Sequence, residues 1–248
     1  MKLATAVFIS SVFLVLCPFS AQAANIYFDD FHDTNGDDLN GNLSNFRDAV
    51  IVAGHTITQL NVPITAGSLA GYDLLILYDT EAAMTGAEIT AIQQWLTVGC
   101  CRGLWVIGEA PGAFDFASAN ALLAPYNIQF NGLTGALNPD VATPVGFHPT
   151  MAGVTSLSLI FHGLLDVTPP ALCIAQDTPG ACVGAAVDYF PVGLGRVAVW
   201  GDSAAPTNGT FGTNDELVWA LNTIDWLTED APVSVETSSW GAVKALYR

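Results

Sequence analysis

Residues 103–112 read Gly103-Leu104-Trp105-Val106-Ile107-Gly108-Glu109-Ala110-Pro111-Gly112. A short apolar run, Leu104–Ile107, enters a glycine-bounded turn, and a helical pattern over Phe116–Leu123 follows. This is the frame of a nucleophile elbow, G-x-Nuc-x-G, in which a strained turn lifts a Ser or Cys above the end of a sheet. The nucleophile slot here holds Ala110, whose methyl group has no nucleophilic chemistry. The next residue ordinarily lends its N–H to an oxyanion, and Pro111 has none to lend. The stretch argues for an α/β sheet and against acyl transfer at this turn.

Working outward, strand and helix signals alternate. Asn25–Phe28 reads as a strand, residues 39–53 as its helix closed by Gly54, and 55–60 as a second strand. Leu74–Tyr78 is a continuous apolar run, the mark of a central strand covered on both faces. Thr85 with Glu88 three residues later forms a capping box, ahead of Ile89, Ile92, Trp95 and Leu96 at helical spacing. Arg196–Trp200 is another strand. The last helix, 214–227, is expected to bury Leu217, Val218, Leu221, Ile224 and Leu227. Residues 127–188 are looser, rich in Gly, Pro and Thr, and read as a β-rich insertion in the second half. The alternation predicts a mostly parallel central sheet with helices on both faces.

Residues 1–23 carry the marks of a signal peptide: Lys2, an apolar stretch over 6–16, and the small-x-small site Ala21-Gln22-Ala23. Cleavage near Ala23 would deliver the rest of the 248-residue chain outside the cytoplasm, secreted or periplasmic. No later stretch is long and apolar enough to span a membrane. The chain has 6 basic against 23 acidic residues and a pI near 4.1, which excludes nucleic acid as an expected partner. Four cysteines follow the signal. Cys173 and Cys182 flank a turn signal and are expected to pair in an oxidising compartment, whereas the adjacent Cys100 and Cys101 either form a strained bridge or stay reduced.

The order of these pieces resembles the class I glutamine amidotransferase-like superfamily, and more narrowly its exported members that lack a catalytic triad. The resemblance rests on Ala70-Gly71-Tyr72-Asp73 before the third strand, the 85–99 helix leading into Gly103–Gly108, and His148-Pro149-Thr150-Met151-Ala152-Gly153-Val154. Gly195–Asp202 and the helix after it match the family's last strand and helix. It implies a flavodoxin-like three-layer sandwich over residues 24–228. Active members pair the nucleophile with a His after the final strand, where this chain reads Gly201-Asp202-Ser203-Ala204. That departure agrees with Ala110 and Pro111, so amidotransferase activity is not carried over. Gly201-Asp202-Ser203 also lies at the wrong end of the chain for the GDS block of lipase-like hydrolases, and no His follows it.

Carboxylates at expected strand ends supply the candidate site. Asp29 and Asp30 follow the first strand, Asp79 and Glu81 the third, Glu109 the fourth and Asp202 the last, with His32 in the first loop. In open α/β sheets ligands bind outside the carboxyl ends of the strands, near the switch point. Converging carboxylates there would need a cation, a basic ligand or raised pKa values. Asp29, Asp79 and Glu109 are the candidate ligands for a divalent cation, calcium or magnesium. The loop Asp33-Thr34-Asn35-Gly36-Asp37-Asp38 offers oxygens at alternate positions, with Asp38 where an EF-hand needs Gly and Ser44 where it needs Glu.

The reading that follows is an exported, non-catalytic binding or scaffold protein whose acidic crevice takes a small molecule, a carbohydrate or a protein segment. The alternative is a metal-assisted hydrolase using the same acids, with His32 or Glu109 as general base. After a polar linker, 229–238, the amphipathic tail 239–248 places Trp240, Val243 and Leu246 at helical spacing beside Lys244 and Arg248. It is a candidate docking element.

Overall fold

The computed structural model describes residues 23–98, 102–188 and 195–229. Residues 1–22, which hold most of the expected signal peptide, Cys100, Cys101, and residues 230–248, with the expected linker and the Trp240–Arg248 tail, lie outside the described residues. Eleven strands and four α-helices follow in the order β1 Asn25–Asp29, α1 Ser44–Val52, β2 Thr56–Leu60, β3 Leu74–Tyr78, α2 Gly86–Thr97, β4 Gly103–Ile107 and α3 Phe116–Leu123. Then come β5 Ile128–Thr134, β6 Asp140–Pro144, β7 Leu157–Leu159, β8 Gly163–Val167, β9 Leu172–Gln176, β10 Cys182–Asp188, β11 Arg196–Trp200 and α4 Glu216–Thr228.

Nine strands form one sheet in the order β2-β1-β3-β4-β11-β10-β9-β6-β7, and β5 pairs with β8 beside it. The first five are parallel and the remaining pairings antiparallel. The expected mostly parallel sheet is therefore a mixed one. The 127–188 region is not set apart from it: four of its strands continue the sheet past β11. Short loops allow this, because antiparallel neighbours need only a turn, whereas each parallel step needs a crossover.

Strand parity distributes the core. Ile26, Phe28, Leu74, Ile76, Tyr78, Trp105 and Ile107 join the Phe46 and Val50 side of α1 and the Trp219, Ile224 and Leu227 side of α4. Tyr27, Leu75, Leu77, Leu104 and Val106 join Ile92, Trp95 and Leu96 of α2 and Leu122 of α3. Strands β3 and β4 are buried at every position, as their unbroken apolar runs foretold. The capping box of α2 is present, with the Thr85 side chain accepting from the Glu88 N–H. On α4 the buried stripe is rotated from the expected one. Trp219, Ala220, Thr223, Ile224 and Leu227 are inside, while Leu217 and Val218 are each 40% exposed. Trp219 decides this, since its ring buries more surface than either aliphatic chain and packs on Trp105 at 5.1 Å and Trp200 at 4.8 Å.

Cys173 and Cys182 are joined by a disulfide, with Cα atoms 5.9 Å apart. The elbow glycines have two separate reasons. A Cβ on Gly108 would lie 2.6 Å from the Phe130 ring, and Gly112 has φ +97°, which other residues rarely adopt. Trp219→Ala would empty the space between β4, β11 and α4. We expect it to cost about 3–5 kcal/mol in denaturant-derived stability, while Leu217→Ala on the exposed face should cost well under half as much.

Candidate functional site

The chain runs β1 to β2 on one side and then crosses to β3 on the other, so the sheet's switch point lies between the ends of β1 and β3. The candidate carboxylates gather there in two groups rather than one. In the first, Asp29 is fully buried and its Oδ2 lies 2.8 Å from His32 Nδ1. The other nitrogen, Nε2, is 3.4 Å from Oε1 of Glu88. Burial opposes charging this imidazole, but Asp29 and Glu88 together outweigh it and His32 titrates above the ordinary histidine range. Glu88 also accepts N–H bonds from Thr85 (2.8 Å) and Ile64 (3.1 Å). With both nitrogens facing carboxylates and 1% of its surface exposed, His32 is held as part of the scaffold, closed to an incoming substrate.

The second group surrounds the ends of β3, β4 and β11. Glu109 accepts from the Ala110 N–H at 2.8 Å and from the Ser203 hydroxyl at 2.7 Å. The Tyr78 hydroxyl donates to the Ser203 carbonyl at 2.7 Å. Asp79 takes a left-handed backbone conformation, φ 43°, directly after the strand, which for a non-glycine residue stores strain. Burial, reinforced by Glu109, Glu81 and Asp37, pushes its carboxyl up to about 8. Asp202 is pushed to about 8 by burial and by Glu109, and burial raises Glu109 as well. Raised pKa values are one of the ways out of crowding that carboxylates at one edge must find.

The groups touch through Glu81. Its N–H and that of Ala82 donate to the His32 carbonyl at 3.0 Å, and its Oε2 accepts from the Thr34 N–H at 2.5 Å. Asp30 faces the edge of the sheet instead, binding Gln59 Nε2 (2.6 Å) and Asn61 Nδ2 (3.1 Å). Asp202 accepts from the N–H groups of Ala204 (2.7 Å) and Ile160, so both oxygens are committed to backbone. Asp29, Asp79 and Glu109 do not bring ligand atoms within 4.8 Å of one another. Asp29 lies with His32 in the first group and the other two in the second. The 33–38 loop turns inward, Asp33 accepting from the N–H groups of Asn35, Gly36 and Asp37 at 2.8, 3.1 and 2.9 Å.

Nine buried side-chain polar atoms among the described residues lack a hydrogen-bond partner. Five of them belong to this edge: Asp29 Oδ1, His32 Nε2, Asp79 Oδ1, Thr80 Oγ1 and Glu81 Oε1. Such atoms are costly unless something satisfies them. Sequence reasoning missed Glu88 and Tyr78 as members of the site. Glu88 was already explained as a helix cap, and nothing local marks a tyrosine inside an apolar strand. His148, in the family-like motif, caps the 149–151 turn by accepting from the Thr150 N–H at 3.3 Å. Burial pushes it down to about 4.

Asp79 makes the edge pH-sensitive. With a folded pKa near 8 and an ordinary unfolded one, the native state holds a proton that the unfolded chain has lost between about pH 4 and pH 8. Stability therefore falls as pH rises across that window. Asparagine is neutral throughout and tolerates positive φ. Asp79→Asn should raise stability by roughly 3–4 kcal/mol more at pH 8 than at pH 5. Urea melts at the two pH values check this, and an equal effect at both would refute the assignment.

No protein-family profile matches the chain, and no curated protein does. Solved structures do. The mmIFT52 N-terminal domain aligns with TM-score 0.70 at 19% identity, covering 84% of this chain and 99% of that one. A protein described as ThuA-like, from Parabacteroides merdae, aligns with TM-score 0.56 at 12% identity over 84% and 91% of the two chains. A glutamine amidotransferase from Thermotoga maritima aligns with TM-score 0.50 at 11% identity over 84% and 100%. At these identities the likeness is one of fold alone: the chain is a mixed α/β protein whose fold resembles glutamine amidotransferase-like structures.

Proposed function

We propose that this chain is an exported, non-catalytic binding protein built on a flavodoxin-like, amidotransferase-like frame, and that its ligand is a neutral, hydroxyl-rich molecule of the carbohydrate class. The observation that carries the reading is four unsatisfied buried oxygens at this edge of the sheet, Asp29 Oδ1, Asp79 Oδ1, Thr80 Oγ1 and Glu81 Oε1. All four can accept a hydrogen bond, and a polyol brings many donors without charge. Asp79, held toward its protonated form, can both give and take hydrogen bonds with hydroxyl groups.

The pseudoenzyme reading is supported by what occupies the elbow. Ala110 stands in the nucleophile slot, Pro111 follows it, and the Ala110 N–H donates to Glu109 rather than pointing to an oxyanion. His32, the best-placed histidine, is locked between Asp29 and Glu88. Export rests on the sequence alone: Lys2, the apolar stretch over 6–16 and the small-x-small site Ala21-Gln22-Ala23.

Calorimetric titration with a panel of soluble oligosaccharides tests the ligand class. We expect saturable binding by the wild type, loss of at least tenfold in affinity in Glu109→Ala, and no cleavage of the bound sugar on prolonged incubation. Turnover would overturn the non-catalytic reading, and absence of binding across the panel would overturn the ligand class.

A further inference from the structure

On the antiparallel half of the sheet, away from the switch point, Asp140 at the start of β6, His162 before β8 and Asp177 after β9 bring one ligand atom each within 4.8 Å of the others. All three are buried, His162 completely. We propose that these residues form a binding site for a divalent first-row transition metal ion, with zinc as the expected occupant.

Three observations carry this. First, the wholly buried imidazole is under-satisfied: Nδ1 has no partner, and the neighbour of Nε2 is Asp177 Oδ2 at 3.4 Å. That separation is at the far limit of a hydrogen bond. It matches neighbouring ligand atoms around a metal, which stand roughly 3–3.5 Å apart when each is about 2.0–2.2 Å from the ion. Second, the charge balance closes. No lysine or arginine among the described residues pairs with either aspartate. Two carboxylates and a neutral imidazole offset a divalent cation in a region where unpaired charge is expensive.

Third, the carboxylates are fixed in advance by donors behind them, as metal-binding carboxylates are. Asp140 accepts from the Val141 N–H at 2.8 Å, the Thr178 N–H at 3.2 Å and the Thr178 hydroxyl. Asp177 accepts from the Ala181 N–H at 2.6 Å. These bonds leave lone pairs free on each carboxylate.

Asp140 also lines a groove of about 420 Å³ with Pro139, Ser158 and Ile160. One nitrogen and two oxygens suit zinc and its first-row neighbours, whereas calcium and magnesium prefer all-oxygen shells. Three protein ligands leave a coordination position open to water, the arrangement of an accessible zinc site. The site is independent of the carbohydrate reading, since it shares none of the switch-point residues.

The test is zinc binding by the untagged full chain after chelator treatment, measured by elemental analysis after dialysis and by competition with a chromophoric chelator. We expect one zinc per chain. Asp140→Asn should weaken binding at least tenfold, and Asp79→Asn at the switch point should leave it unchanged. His162 is central to the packing, and its replacement can fail to fold. Thr178→Ala therefore serves as the second variant: the residue is exposed, holds Asp140 from behind, and should weaken zinc severalfold without loss of fold. Cobalt substitution gives a separate readout, visible d–d bands without thiolate charge transfer. Less than one zinc per chain, undiminished binding in both Asp140→Asn and Thr178→Ala, or a cobalt spectrum showing thiolate ligation would each overturn the proposal.

Discussion

The parallel pairing of β4 with β11, which sets Gly103 against Arg196 and Ile107 against Trp200, is the constraint on which the rest of the molecule depends. It closes a long excursion of the chain and makes β11 a seam, parallel to β4 on one side and antiparallel to β10 on the other. Glycine makes the seam possible. A Cβ on Gly103 would lie 2.6 Å from the Leu227 side chain, and one on Gly201 would lie 2.2 Å from the Gly163 carbonyl. Helix α4 and strand β8 come this close because those positions carry no side chain. Everything at the carboxyl edge inherits its position from this pairing: Glu109 reaches Ser203 because the ends of β4 and β11 are in register.

That edge shows how one fold handles crowded acids in different ways. Asp29 has a histidine, Asp202 and Asp33 have backbone N–H groups, Asp30 has amide side chains, and Asp79 is pushed toward its neutral form. Most of these arrangements bring a donor to the carboxylate, and Asp29, Asp79 and Glu109 do not gather around one point. The Asp140, His162 and Asp177 cluster is the opposite case. Its carboxylates are oriented by donors on one side and share their other side with an imidazole that they only half satisfy.

Much of the parallel half was legible from residue patterns. The apolar runs of β3 and β4, the capping box of α2 and the turn after Ile107 are local signals, and each lies where the pattern put it. The chemistry expected of those turns was less legible. Asp29 and Glu109 both follow strands, but strand-end position does not say toward which neighbour a carboxylate turns. The seven candidates separate into partners for His32, for Ser203, for β2 and for backbone. On α4 the aliphatic stripe and the aromatic stripe share helical spacing, and packing against Trp105 and Trp200 chose the latter.

By itself the sequence determined the alternation of strands and helices, the alanine and proline at positions 110 and 111 in the turn after β4, and the cysteines that pair across β9 and β10. These follow from neighbours close along the chain, where spacing alone carries the physics. Only the tertiary structure decided that the sheet continues antiparallel beyond β11, that His32 is enclosed between Asp29 and Glu88, and that Asp140, His162 and Asp177 meet. Those contacts join residues on different strands and loops. Their geometry is set by strand pairing and burial, which no local pattern encodes.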